Sequence, residues 1–243
     1  MEKIKIVLII VGILLLGVLG ALIFNVFVMP YLLTDSYFER FQFVKDFKNG
    51  KIIINPKEQI YIQENVALEN AIEKVAKSVV AIQVTTSTGN SYFGSGLITT
   101  SDGSIITLAS LTPKGSKFNI FVNGEKTDFK VQKTDYKNNL ILIKIEQNNL
   151  PTVGFASFDK IKLGQRVFLT AFSSIKITDR LANEGIVKSF NEEIIKTNIS
   201  EKSIITGSPL FNIYGELVGL NYIDSDNKVS AVPINTIKTF LEL

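Results

Sequence analysis

The chain has no histidine and no cysteine. Without histidine it lacks the commonest general base, the commonest metal ligand and the usual pH switch. Without cysteine, disulfides, thiolate nucleophiles and cysteine-based zinc sites are excluded. No metal or cofactor site is therefore expected. A concentrated basic stripe is also missing. The net charge is only +3 and the lysines are dispersed, so nucleic acid is not an expected partner. There is no internal repeat and no low-complexity tail.

What is present begins with a long apolar run. Residues 6–29 are almost wholly Ile, Leu, Val, Gly, Ala and Phe, preceded by Lys3 and Lys5. A membrane-crossing helix needs about 20 apolar residues. A secretory signal has an apolar core of roughly 7–15 and a small-residue cleavage site. The run is too long for the latter, so the expectation is an uncleaved transmembrane anchor within residues 1–30. The early lysines place the N-terminus in the cytoplasm and the body outside it, although Lys45, Lys48 and Lys51 oppose that orientation. Residues 31–65 read as a juxtamembrane linker. It is rich in aromatics, with Phe38, Phe41 and Val44 at helical spacing, and is punctuated by Asn49-Gly50 and Pro56.

The globular region is expected over 66–243. Asn65 is placed to cap a helix through Lys77, with Leu68, Ala71, Ile72 and Val75 on one face. Helical periodicity then stops. Strand-length runs fall at 79–85, 91–99, 104–110, 118–122, 129–133 and 140–146, and again at 165–172, 183–190, 193–198, 208–211, 216–222 and 229–232. Turn residues separate them, and Asn123-Gly124 is a strong hairpin signal. The 46% apolar content is ample for a core. Two series of strands imply an all-β fold of two packed antiparallel barrels, about 79–146 and 162–232. A connector lies between them and a helix at 235–243 follows.

Several motifs then resemble the HtrA/Deg type of trypsin-like serine protease, in that family's order. Gly94-Ser95-Gly96-Leu97-Ile98 is similar to its G-S-G-F-I. Asp102-Gly103-Ser104-Ile105-Ile106-Thr107 is similar to the D-G-Y-I-L-T that leads to the catalytic histidine. Asn139-Leu140-Ile141-Leu142-Ile143-Lys144-Ile145 is similar to the D-L-A-V-L-K-I that opens on the catalytic aspartate. Pro209-Leu210 with Gly215, Val218-Gly219 and Asn221 resembles the nucleophile segment, and Ala231-Val232-Pro233-Ile234-Asn235 resembles the closing A-I-P-I-N. The resemblance covers about 66–243 and implies a chymotrypsin/trypsin-like double β-barrel. Family members commonly carry a C-terminal PDZ domain, and none is expected within these residues.

The resemblance also assigns the reactive positions, and each holds an unexpected residue. Ser110 stands at the base, Asn139 at the acid and Thr206 at the nucleophile. A serine hydroxyl does not accept a proton near neutral pH, and asparagine is neutral, so the relay of nucleophile, base and orienting acid is broken. The oxyanion-hole positions fall on Ile204 and Thr206, with a β-branched residue where the family has glycine. Leu217, Gly219 and Leu220 are expected to line a peptide cleft. The leading expectation is a membrane-anchored, catalytically inactive protease homologue that binds peptides or proteins outside the cytoplasm, with homo-oligomers possible by resemblance. The alternatives are a serine-type endopeptidase using Thr206 or Ser208, with Lys202 and Ser203 as dyad candidates, and a purely structural envelope domain. Asp224-Ser225-Asp226-Asn227 reads as a hairpin turn rather than a calcium loop. Residues 112–117 read as an exposed loop.

Overall fold

The computed structural model describes residues 12–13, 16–28 and 56–243. The chain forms two compact units, residues 1–60 and 61–243. In the first, residues 16–23 are helical and run into a π-helical turn, Phe24–Val28. Leu16, Leu19, Leu22, Ile23 and Phe27 are all exposed there. Among the described residues no helix is long and apolar enough to cross a membrane. Part of the expected span 6–29, and the linker from 31 to 55, lie outside the described residues.

Helix α1 is Pro56–Ala76. It begins nine residues before the expected cap, so Asn65 is an interior residue. Proline at the first helical position has a preset φ and no N–H to orphan, so it starts a helix well. Ala71 and Val75 are buried at the C-terminal end of α1, and Lys74 Nζ donates to Tyr214 O at 3.0 Å.

The body is two seven-stranded sheets. The first contains β1 (Val79–Thr85), β2 (Ser91–Ile98), β3 (Ser104–Leu108), β4 (Lys117–Val122), β5 (Glu125–Thr127), β6 (Phe129–Asp135) and β7 (Leu140–Ile145), in the order β5-β4-β1-β2-β3-β7-β6. All its pairings are antiparallel, and it remains an open half-barrel between β5 and β6. The second contains β8 (Gly154–Phe155), β9 (Arg166–Phe172), β10 (Arg180–Phe190), β11 (Ile195–Thr197), β12 (Pro209–Asn212), β13 (Glu216–Ile223) and β14 (Val229–Pro233). Its order is β12-β9-β10-β11-β14-β13-β8, and β12 also pairs with β13, which closes the barrel. Strand β10 pairs with β9 along its first half and with β11 after a bulge between Val187 and Ser189, so it turns a barrel corner. Helix α2, Ile234–Leu241, follows β14. The architecture is an all-β, chymotrypsin-like pair of barrels.

Each expected strand is present. Strands β5 and β8 were not anticipated, because three and two residues are too short to carry a period-2 signal. The run expected to continue to Ser110 stops at Leu108, where a 3₁₀ turn, Ala109–Leu111, takes over. One core fills the first sheet around Ile82, Ile98, Ile105, Ile120 and Ile143, all fully buried. A second, centred on Phe168 and Phe211 with ring centroids 5.4 Å apart, fills the closed barrel and takes in residues of α1 and α2. Burying each such side chain contributes roughly 1.5–3 kcal/mol.

Candidate functional site

Three loops meet where the barrels face each other. The first follows β3. Its 3₁₀ turn leaves Ser110 exposed between buried Ala109 and Leu111. The second precedes β7 and ends on Asn139, held at φ 58°, a left-handed conformation that asparagine tolerates better than most residues. The two are tied together. Asn139 O accepts from Ala109 N at 3.1 Å, and Asn139 Oδ1 accepts from Ser110 N at 2.7 Å. The structure thus brings Ser110 and Asn139 together through the backbone of Ser110 and not through its hydroxyl.

The third loop runs from Lys202 to Ser208. Ser203–Ile205 is a 3₁₀ turn. Its first carbonyl, Ser203 O, accepts both Thr206 N at 3.0 Å and Thr206 Oγ1 at 2.7 Å. The N–H and the hydroxyl proton expected to face a substrate are therefore both spent inside the loop. Gly207, at φ 78°, then reverses the chain. Its N–H donates to Asn221 O at 2.8 Å. Any side chain here would collide with Thr107 Oγ1 and Ser95 O, so the position needs glycine for space as well as conformation. Ser208 is fully buried, its Oγ accepting from Asn221 Nδ2 at 3.1 Å. Its hydroxyl is not part of the cleft lining. Lys202 Nζ bonds to neither Ser203 nor Thr206.

Ser95 joins the barrels at this point. Its N–H donates to Thr206 O at 3.1 Å, its Oγ accepts from Phe172 N at 2.9 Å, and its carbonyl accepts from Thr107 Oγ1 at 2.7 Å. These bonds also fix how β2 faces. Ser95 directs its peptide groups away from β1. Peptide groups alternate along a strand, so those of Phe93 point the same way. Strand β3 reaches only Leu97 and Ile98 of β2, and the N–H and C=O of Phe93 have no backbone partner. A short stretch of free sheet edge is left beside the cleft.

The cleft has a volume of about 680 Å³ and is lined by Tyr92, Phe93, Ser110, Leu111, Lys202, Ser203, Ile204 and Thr206. Ser110 and Thr206 share it, and Asn139 sits behind Ser110. Tyr92 forms a fixed wall, its hydroxyl donating to Leu111 O at 2.9 Å. Burial raises its pKa and keeps that proton in place. Leu217, Gly219 and Leu220 do not line the cleft, contrary to expectation. Leu217 and Leu220 are fully buried in the core with Ile205, and a Cβ on Gly219 would come within 2.5 Å of Val232 O. Ile205 occupies the interior beneath the loop, so apolar contact is left to Tyr92, Phe93, Leu111 and Ile204. Sequence reading missed Tyr92 and Phe93. Their one signal was position, immediately before Gly94, where a Cβ would lie 2.7 Å from Thr206 O. Asp224 behaves as a turn residue, accepting from the N–H groups of Asp226 and Lys228 at 3.0 Å and from Ser230 Oγ at 2.7 Å.

Comparison with known proteins follows this geometry. Residues 94–220 match the family described as trypsin-like peptidase domain, more than half of the 243 residues. The chain is 28% identical over 137 residues to a probable periplasmic serine endoprotease DegP-like of Halomonas elongata, covering 53% of this chain and 28% of the relative. It is 29% identical over 192 residues to serine protease HTRA4 of Mus musculus, covering 70% of this chain and 39% of the relative. The chain thus spans well under half the length of these relatives. With the double barrel, the ordered motifs and these matches together, the chain belongs to the trypsin-like peptidase family, and within it to the HtrA type.

Proposed function

We propose that this protein is a membrane-tethered, catalytically inactive HtrA-type homologue whose cleft binds extended polypeptide outside the cytoplasm. The observation that carries this reading is the state of Thr206. Its hydroxyl and its N–H both donate to Ser203 O, while Ser110 and Asn139 offer no group that takes up a proton at neutral pH. The nucleophile position has no base, and of the two oxyanion positions Thr206 has its N–H spent inside the loop. Binding needs neither. An extended segment gains main-chain hydrogen bonds by adding to a free sheet edge, which Phe93 offers next to an apolar lining. Tethering is supported by the apolar side chains exposed along residues 16–28, since a helix apolar on all faces is suited to lipid. An exported body is in keeping with the DegP-like relatives, which are named as periplasmic.

The test uses the full chain in non-ionic detergent. Hydrolysis of an unfolded protein is expected to stay at background, with Thr206→Ala indistinguishable from it. Hydrolysis that disappears in Thr206→Ala overturns inactivity. Amide exchange at Phe93 is expected to slow when an extended peptide is added. Unchanged exchange, with no peptide retained, overturns the binding role.

A further inference from the structure

We infer that the cleft selects extended segments in which an acidic side chain lies beside an apolar one, an inference that rests on the peptide-binding reading above. The lining has two chemistries. Tyr92, Phe93, Leu111 and Ile204 supply apolar surface, and Lys202 is the one charged residue among the described residues that line the cleft. Lys202 is exposed, and its ammonium has no ion-pair or hydrogen-bond partner among the described residues, while its backbone carbonyl accepts from Ile205 N at 3.2 Å. The adjacent carboxylate does not neutralise it, because Glu201 Oε1 is held by Asn183 Nδ2 at 2.6 Å and lies outside the lining. An unpaired ammonium at the rim of an apolar groove attracts a carboxylate and disfavours a cation, which confers selectivity of both kinds.

A carboxylate could belong to a side chain or to a chain terminus, and the free Phe93 edge points to the first, since it takes a segment that runs on through the cleft. Terminal carboxylates are captured in nests of free backbone N–H groups. Here Thr206 N donates to Ser203 O, Gly207 N to Asn221 O and Ser208 N to Ile205 O. From Ser203 to Ser208 only the successive N–H groups of Ser203 and Ile204 are left without an acceptor among the described residues. The Lys202 ammonium is the one charged group there for an anion, and beside the Phe93 edge it suits the side chain of a segment that runs through the cleft.

The experiment titrates the full chain in non-ionic detergent with labelled peptides of one apolar sequence. They differ at one position, Glu, Gln or Lys, and each is made with a free and an amidated C-terminus. The Glu peptide is expected to bind about two- to fivefold tighter than the Lys peptide at low salt, as befits an exposed charge. That preference shrinks as salt rises. Lys202→Gln is expected to level the series and Lys202→Glu to invert it, with amidation making no difference. Equal binding of all peptides, or a preference for Lys, overturns the selectivity while leaving peptide binding intact. Loss of binding on amidation assigns the ligand to a chain terminus and also overturns it. Failure of every peptide to bind overturns the peptide-binding reading itself, and this inference with it.

Discussion

Asn139 is neutral where the resemblance places an acid, yet it has structural work that an acid would share. Its Oδ1 accepts the Ser110 N–H at 2.7 Å, and its backbone is held at φ 58°. Asn139→Ala removes the acceptor and puts a less tolerant residue in the left-handed region, and is expected to cost roughly 1–2 kcal/mol by urea denaturation. Asn139→Asp keeps both features and is expected to stay within about 0.5 kcal/mol of the parent. Gly207→Ala is a harsher change. The added methyl meets Thr107 Oγ1 and Ser95 O at a positive φ, so a loss of roughly 2–4 kcal/mol is expected in the same measurement. The state of Thr206 leads to a chemical prediction as well. Restoring His at 110, Asp at 139 and Ser at 206 together is expected to leave hydrolysis at background, because the N–H of residue 206 still donates to Ser203 O. Hydrolysis by that triple variant which vanishes when position 206 is alanine would mean that the loop opens to form the hole.

At the scale of elements, the turn from β2 to β3 is clasped by charge. Lys144 on β7 reaches Asp102 Oδ2 at 2.7 Å, and Thr100 Oγ1 donates to Asp102 Oδ1. The hydrogen bond from Lys144, then that from Thr100, holds the Asp102 carboxyl below its ordinary range. A depressed carboxyl pKa adds stability above the unfolded value, about pH 4, and that increment is lost as pH falls through the folded value. Asp102→Asn is therefore expected to be less stable than the parent at neutral pH, with the gap closing below about pH 4, read from urea midpoints at each pH. The same elements show what was legible in the sequence. Strands β1, β7 and β13 announced themselves because buried positions and bounding turns coincide. Strands β5 and β8 are too short to show a period. The start of α1 was missed because Asn65 has the chemistry of a cap while Pro56, nine residues earlier, is the actual start. Ser110, Asn139, Ile204 and Thr206 were readable as site positions only through their motifs. What escaped is which groups face the cleft. Leu217 and Leu220 read as apolar lining, but both side chains are fully buried in the core of the closed barrel. Hydrophobicity alone does not distinguish a wall from an interior.

At the scale of the molecule, two barrels of different construction share one site. The second is closed by the β12–β13 pairing, and the first stays open between β5 and β6. Ser95 stands between them, with its N–H on Thr206, its hydroxyl oxygen under Phe172 N and its carbonyl under Thr107. Pulling the barrels apart would strand donors and acceptors from both halves in a buried place, at about 1–3 kcal/mol for each orphaned group. The halves are thereby locked into a single cooperative transition: neither melts first, and circular dichroism and aromatic fluorescence are expected to report one shared midpoint. A cut in the connector between β7 and β8 would sever the covalent thread and leave that lock untouched, so the two fragments should travel together until denaturant separates them.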